Sequence, residues 1–233
     1  MASEKLPYDG GHYGRERCEQ GKLPRHRHSF GYMCLVLKGR FLEAGDAGRF
    51  RVQPGDVLVH GPFEAHLDLF EGSGAEVLNL PLPDAGRQSG RFRIDDPDAI
   101  AVLAERDPAS AARAVALRWT AAPGEADWPD LLAEALCESG LSIGRWAERQ
   151  GLAPATVSRG FRQAYGTTPA RFRAELRARR AWAKLGTTDR PLVDVALASG
   201  FADQAHMTRS VRRLTGGPPT RWRHQVKSVQ DRS

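Results

Sequence analysis

Three histidines in the first third of the chain have the residue type and spacing for metal chemistry. His26 and His28 stand two residues apart, a spacing that in a β-strand places both side chains on one face. His66 follows in the segment PGDVLVHGPFEAH. Neutral imidazoles bind Zn, Fe, Ni or Cu, so three of them in one pocket would suit a divalent transition metal.

The region resembles the two motifs of cupin barrels, in which an H-x-H pair, a Glu and a later His converge on a metal. His26, His28 and His66 take the histidine positions, but Tyr32 stands where metal-binding cupins carry Glu. Three uses of the barrel interior remain open: a metal site made by the three histidines, an effector pocket lined by them and Tyr32, or simple packing. His60 either joins the cluster or lies at its rim, and the rim is the preferred interpretation.

Short apolar runs separated by turn signals surround these histidines. The runs are Tyr32–Leu37, Val57–His60, Ala65–Phe70 and Ala75–Leu80. The turn signals are Lys38-Gly39, Gly45-Asp46, Pro54-Gly55-Asp56 and Gly72-Ser73-Gly74. This pattern predicts a small antiparallel barrel or sandwich.

Three helices are predicted after this region, over Pro97–Arg106, Ala109–Thr120 and Pro129–Glu138. Their apolar stripes contain Ile100, Leu103, Leu117, Leu131, Leu132 and Leu136. Such stripes either couple two domains or pack in a dimer interface.

Charge is distributed unevenly along the chain, whose net charge is +6. Residues 141–233 contain 18 Lys and Arg against 6 Asp and Glu, whereas the preceding 140 contain 16 against 22. The basic half therefore carries +12 and the acidic half −6, which indicates two domains with different tasks. A basic, Arg-rich domain favours a polyanionic partner, and nucleic acid is the leading expectation.

The basic half repeats itself at an interval of 49–50 residues. Ala147-x3-Gly151-Leu152 matches Ala196-x3-Gly200-Phe201, and Gly166-x2-Pro169 matches Gly216-x2-Pro219. Each copy fits a helix-turn-helix, because a small Ala allows close helix crossing and the Gly supplies the positive φ of a sharp turn. The 17 residues Pro169–Leu185 between the copies would form a helix about 25 Å long.

The second helix of each copy presents a polar outer face suited to a major groove. In the second copy Asp203 is expected to cap the helix, and Gln204 and Arg209 can read adenine and guanine. In the first copy Ala153 cannot cap, and Arg159 is the best base contact while Arg162 would meet phosphate. The predicted DNA-contacting residues are Ala155, Thr156, Ser158, Arg159, Arg162, Gln204, Ala205, His206, Arg209 and Arg212.

The segment from Leu141 to Arg223, above all ALASGFADQAHMTRSVRR, resembles the DNA-binding domain of AraC/XylS-type transcriptional regulators. The resemblance implies a bacterial regulator that binds double-stranded promoter DNA and acts on RNA polymerase. It also implies an N-terminal barrel that senses a small molecule and supports a homodimer. By position, the base contacts of the family fall on Ala155, Ser158, Arg159, Gln204, Ala205, His206 and Arg209.

The sequence thus predicts an α+β protein of two domains, a cupin-like β-barrel and an all-α domain of two helix-turn-helix units joined by a long helix. The expected limits are 1–82 for the barrel, 83–138 for coupling helices, 139–225 for the DNA-binding domain and 226–233 for a tail. The predicted function is that of a DNA-binding regulator controlled by a ligand or a metal in the barrel.

The alternative function is a cupin metalloenzyme fused to a DNA-binding domain, but the chain has no G-x-S-x-G, no Walker loop and no usefully spaced carboxylate pair. Cys18, Cys34 and Cys137 are expected to be reduced thiols. The absence of a 20-residue apolar run and of an apolar leader predicts no membrane association and a cytoplasmic protein.

Overall fold

The computed structural model describes residues 13–83, 88–122, 127–137 and 141–223. The chain divides into two compact units, Met1–Leu131 with Gly160–Gly166 and Leu132–Arg159 with Thr167–Ser233. The first is rich in β-structure and the second is helical, which confirms the two-domain α+β class. The four domain limits predicted above stay predictions, and the expected tail lies outside the described residues.

Eight strands form one antiparallel sheet in the first unit. They are β1 (Gly14–Cys18), β2 (Gly21–Arg27), β3 (Tyr32–Gly45), β4 (Gly48–Val52), β5 (Asp56–His60), β6 (Ala65–Pro81), β7 (Gly90–Arg93) and β8 (Thr120–Ala121). The strand order is β1-β6-β3-β5-β7-β8, with β2 paired to β6 and β4 to β3. Among the described residues this pairing is an open path, so the predicted closed cupin-like barrel is not confirmed.

Two predicted turns are wrong because they lie inside long strands. Lys38-Gly39 falls within β3, and Gly72-Ser73-Gly74 falls within β6. The register between these strands shifts on either side of Gly39, which has a φ of 75°, while Gly74 has a φ of 84°. A Cβ on Gly39 would overlap the backbone carbonyl of Gly74. The glycines therefore allow two irregular strands to pass closely, and they do not reverse the chain.

Two helices, α1 (Pro97–Arg106) and α2 (Pro108–Arg118), share an apolar core with the sheet. Ile100 of α1 and Val115 of α2 are buried in the same cluster as Met33 and Leu80. These helices therefore cover one face of the sheet, and this accounts for most of their apolar stripes. Leu117, by contrast, is 83% exposed.

The remaining helices are α3 (Trp128–Leu136), α4 (Ile143–Arg149), α5 (Pro154–Tyr165), α6 (Pro169–Leu185), α7 (Leu192–Ala198) and α8 (Gln204–Thr215). Helix α6 has the predicted bounds because Thr168 accepts a hydrogen bond from the backbone N–H of Arg171 and Pro169 opens the first turn. Its apolar stripe of Phe172, Leu176, Ala181 and Leu185 is buried. Within the described residues, no helix is both long and apolar enough to cross a membrane.

Candidate functional site

The two copies of the repeat form the same turn. In the first, the backbone N–H of Leu152 donates to the carbonyl of Ala147, and the glycine before Leu152 has a φ of 64°. In the second, the N–H of Phe201 donates to the carbonyl of Ala196, and the preceding glycine has a φ of 78°. Both hydrogen bonds are 2.9 Å long. The predicted pair of helix-turn-helix units is therefore present in the geometry of the backbone.

Helix α8 has one buried face and one exposed face. The side chain of Asp203 accepts a hydrogen bond of 2.6 Å from the N–H of His206, as predicted for the cap. Met207 and Val211 are fully buried. The exposed residues on α8 from the predicted contact set are Gln204, Ala205, Arg209 and Arg212. His206 is half-buried instead, because its ring packs edge-on against Phe201 with a centroid separation of 5.2 Å.

Helix α5 exposes its predicted contact face but has no side-chain cap from the residue that precedes it. It begins at Pro154, and the preceding Ala153 has no side-chain acceptor for the first N–H groups. Val157 is fully buried. The predicted contact residues on α5 are all exposed: Ala155, Thr156, Ser158, Arg159 and Arg162. Only the two arginines in this set have a long reach, so the outer face of α5 offers fewer directional contacts than that of α8.

Most arginines of α6 bind the protein itself. Arg177 donates to the carbonyl of Gly200 at 3.0 Å, and Arg173 and Arg180 donate to backbone carbonyls at Leu141 and Cys137. Arg171 forms an ion pair of 3.0 Å with Glu175, one turn further along the helix. The net charge of residues 141–233 therefore overstates the number of side chains available to contact phosphate. The sequence did not reveal that most of these arginines bind backbone carbonyls of the protein.

A cavity of about 310 Å³ lies within the first unit. Its walls contain the four predicted residues of the effector pocket, His26, His28, Tyr32 and His66. The nitrogens of the three histidines lie close enough to meet on one ion. The sequence thus predicted the grouping of these side chains, while metal binding itself stays a prediction.

His60 is part of this cluster, so its interpretation as a rim residue is wrong. It is 5% exposed, and its ring centroid lies 4.5 Å from that of His66 and 4.6 Å from that of Tyr32. Its Nε2 atom lies 3.2 Å from Oε2 of Glu43. His60 is paired with Tyr32 at the start of β3, whereas Glu43 lies near the end of that strand. A straight strand would place Tyr32 and Glu43 roughly 36 Å apart, so β3 bends strongly between them.

Two buried carboxylates in the cavity wall were not predicted from the sequence. Glu43 and Asp68 are 4% and 5% exposed and lie opposite each other in the pairing of β3 with β6. Asp68 also lies two residues after His66, so both share one face of β6. That spacing could have revealed Asp68. Glu43 gave no such signal, because its position depends on the bend in β3.

The electrostatics of the cavity separate its histidines into two kinds. Burial lowers the pKa of His26 and lowers that of His66 well below its usual value. Burial together with the charges of neighbouring histidines lowers the pKa of His28 to about 4. Burial acts in the same direction on His60, but the charge of Glu43 outweighs it and raises the pKa. Burial and Glu43 also raise the pKa of Asp68 well above its usual value.

The match to a family model lies in the C-terminal part of the chain. Residues 146–225 match the family model of a helix-turn-helix domain. The arabinose operon regulatory protein of Escherichia coli strain K12 is 30% identical over 92 residues, which cover 40% of this chain and 32% of that protein. The HTH-type transcriptional activator RhaS of Pectobacterium carotovorum is 32% identical over 88 residues, which cover 38% of this chain and 32% of that protein.

A solved structure from Chromobacterium violaceum, described as a transcriptional regulator with an AraC-type DNA-binding domain, is 32% identical. The match covers 42% of this chain and 88% of that one, with a TM-score of 0.38. The chain spans about a third of the length of the curated relatives it matches.

The family model and the paired turns define the segment 146–225 as a tandem helix-turn-helix domain. This domain is of the AraC type, as the resemblance in the sequence predicted.

Proposed function

We propose that this chain is a transcriptional regulator that binds double-stranded promoter DNA through α5 and α8. The observation that carries the proposal is the outer face of α8, where Gln204, Arg209 and Arg212 are exposed on a capped helix with a buried inner face. Gln and Arg are the side chains that make bidentate contacts with adenine and guanine in the major groove. Helix α6 would hold the two reading helices at successive major grooves, as the 34 Å repeat of the duplex requires.

Seven of the ten predicted contacts have proposed roles. Arg159, Gln204 and Arg209 are proposed to read base edges, with Ala205 allowing close approach of the helix. Arg162 and Arg212 are proposed to contact phosphate and to supply affinity that falls with salt. His206 is proposed to support the helix rather than to contact DNA directly, because its ring packs on Phe201.

The cavity of the first unit is proposed as the regulatory site. Its volume of about 310 Å³ is at the lower end of cavities that hold small molecules, so it fits a small polar effector or a metal ion. The matched relatives are regulators, which favours a non-enzyme over the metalloenzyme alternative. By the same resemblance we propose a cytoplasmic protein that acts on RNA polymerase and pairs as a homodimer.

Selection of bound fragments from genomic DNA, followed by fluorescence anisotropy on the selected site, tests the proposal. Arg209→Ala should weaken specific binding by about 1–3 kcal/mol and relax the preference at one base position. Arg118→Ala, an exposed position on α2, removes the same charge and should leave the preference intact. Failure to select any sequence, or equal binding of all duplexes by the wild-type protein, would refute the proposal.

A further inference from the structure

The cavity contains a second set of metal-binding side chains that shares only His66 with the set seen in the sequence. Glu43, His60 and His66 each offer one ligand atom, and these atoms lie within 4.8 Å of one another. The three residues come from β3, β5 and β6, which are neighbours in the sheet. They are 4%, 5% and 3% exposed, whereas His26 and His28 are only half-buried. The second set is therefore the deeper of the two.

Two buried nitrogens in this set have no hydrogen-bond partner among the described residues. They are Nδ1 of His66 and Nε2 of His60. Oε2 of Glu43 is 3.2 Å from the latter, but the approach does not have the alignment of a hydrogen bond. A buried polar atom without a partner destabilises a fold. An ion bound between these groups would satisfy both nitrogens at once.

The surroundings of His66 are those of a metal ligand held in place by its neighbours. Its Nε2 atom lies 3.3 Å from the hydroxyl of Tyr32 and 3.8 Å from Oδ2 of Asp68. Histidines that bind a metal through one ring nitrogen commonly orient the ring through the other, often to a carboxylate. Tyr32 and Asp68 can serve in this way while Nδ1 of His66 faces the ion.

The charges of the set favour a divalent transition metal. Glu43 supplies a carboxylate oxygen, and Asp68 lies opposite it in the pairing of the strands, so two ionised carboxylates would repel each other in this buried wall. A bound cation would reduce this repulsion. The set of His26, His28 and His66 contains no carboxylate and gains nothing of this kind. Two imidazoles and one carboxylate suit Zn²⁺, Co²⁺, Ni²⁺ or Fe²⁺, whereas Ca²⁺ and Mg²⁺ take oxygen ligands.

We propose that Glu43, His60 and His66 form a binding site for one divalent transition-metal ion inside the N-terminal sheet. Three protein ligands leave a coordination position open toward the cavity, where a small anionic or imidazole-like molecule could bind. The regulatory meaning of this site rests on the proposed function, because it assumes that the cavity controls DNA binding. Metal binding itself does not depend on that function.

Titration of the untagged, chelator-treated chain with Co²⁺, followed by visible absorption, tests the site. The wild type should bind one equivalent with the d–d bands of a low-coordinate complex, and Zn²⁺ should displace it. Glu43→Gln and His60→Gln should each weaken Co²⁺ binding by at least about tenfold. Glu105→Gln makes the same chemical change at an exposed position on α1 and should bind as the wild type does.

His28→Gln distinguishes the two sets, since it removes a ligand only from the set predicted by the sequence. Retained Co²⁺ binding in this variant supports the proposal. Loss of binding in His28→Gln with retention in Glu43→Gln and His60→Gln would overturn it, as would a wild-type protein that binds no stoichiometric Co²⁺.

Two further measurements keep the test decisive. X-ray absorption of the wild type loaded with Zn²⁺ needs no variant: two imidazoles with a carboxylate support the site, and three imidazoles without one refute it. Anisotropy with the selected DNA, measured on both the metal-free and the metal-loaded protein, reports on the proposed function separately. A protein that binds metal but binds DNA in neither state refutes only the regulator, and one that binds DNA but no metal refutes only the site.

Discussion

Substitution of Arg177 by Met tests whether the arginines of α6 hold the second helix-turn-helix together. The guanidinium donates to the carbonyl of Gly200 at 3.0 Å and lies 4.7 Å from the ring centre of Phe201. Met keeps the aliphatic stem and removes both interactions. The hydrogen bond contributes about 1 kcal/mol and the cation–π contact about 0.5–1 kcal/mol. Nε of Arg177 is buried and has no hydrogen-bond partner within the part of the chain that the structure describes, so its removal offsets part of this loss.

We therefore expect Arg177→Met to destabilise the second unit by about 1–1.5 kcal/mol. In a unit of this size, that lowers the melting temperature by roughly 5–10 °C. Calorimetry of the full chain would measure the change in the C-terminal transition. Arg171→Met is the matched control, because its pair with Glu175 is exposed and contributes less than about 0.5 kcal/mol.

The salt dependence of DNA binding supplies a second readout for the same variant. A structural role leaves the slope of log affinity against log salt unchanged. A direct phosphate contact would reduce the slope by about 0.9. An unchanged melting temperature together with a reduced slope would refute the assignment of Arg177 to the turn.

Three other substitutions have expected outcomes. Asp203→Ala removes the side-chain cap of α8 and should cost about 1 kcal/mol in thermal unfolding of the second unit, with Asp203→Asn as the variant that restores it. Asp56→Ala should destabilise the first unit by about 2 kcal/mol in urea unfolding, because this fully buried carboxylate accepts hydrogen bonds from Arg93 at 3.0 Å and from the backbone N–H of Gln53 at 2.9 Å. A loss below about 0.5 kcal/mol would contradict the reasoning. Gly39→Ala would make a Cβ overlap the carbonyl oxygen of Gly74, so the two strands must move apart and the melting temperature of the first unit should fall. A wild-type melting temperature would show that the strands separate without cost.

Local signals in the sequence were sufficient to predict the helical part of the fold. The bounds of α6 follow from a capping Thr168, a Pro at the first helical position and a sustained apolar stripe. The cap at Asp203 and the two sharp turns were predicted in the same way. These features depend on contacts between residues no more than five positions apart, so the sequence contains them almost completely.

The sheet was harder to predict because its geometry depends on distant partners. Gly39 and Gly74 lie in segments whose residue types are typical of turns. Only the pairing of β3 with β6 shows that these segments lie inside strands. The positions of Glu43 and His60 depend on the bend in the same strand. Pairs and caps within one segment could thus be predicted, whereas contacts produced by strand curvature could not.

The unequal capping of the two reading helices has a consequence for the DNA sequences that the protein would recognise. Helix α8 starts on a carboxylate cap and presents long, directional side chains, whereas α5 starts after Ala153 and presents mostly short ones. The two halves of a DNA site for this chain should therefore differ in sequence specificity. The half contacted by α8 should tolerate few base substitutions, and the half contacted by α5 should tolerate many. Evolution of new targets would then proceed through the permissive half first.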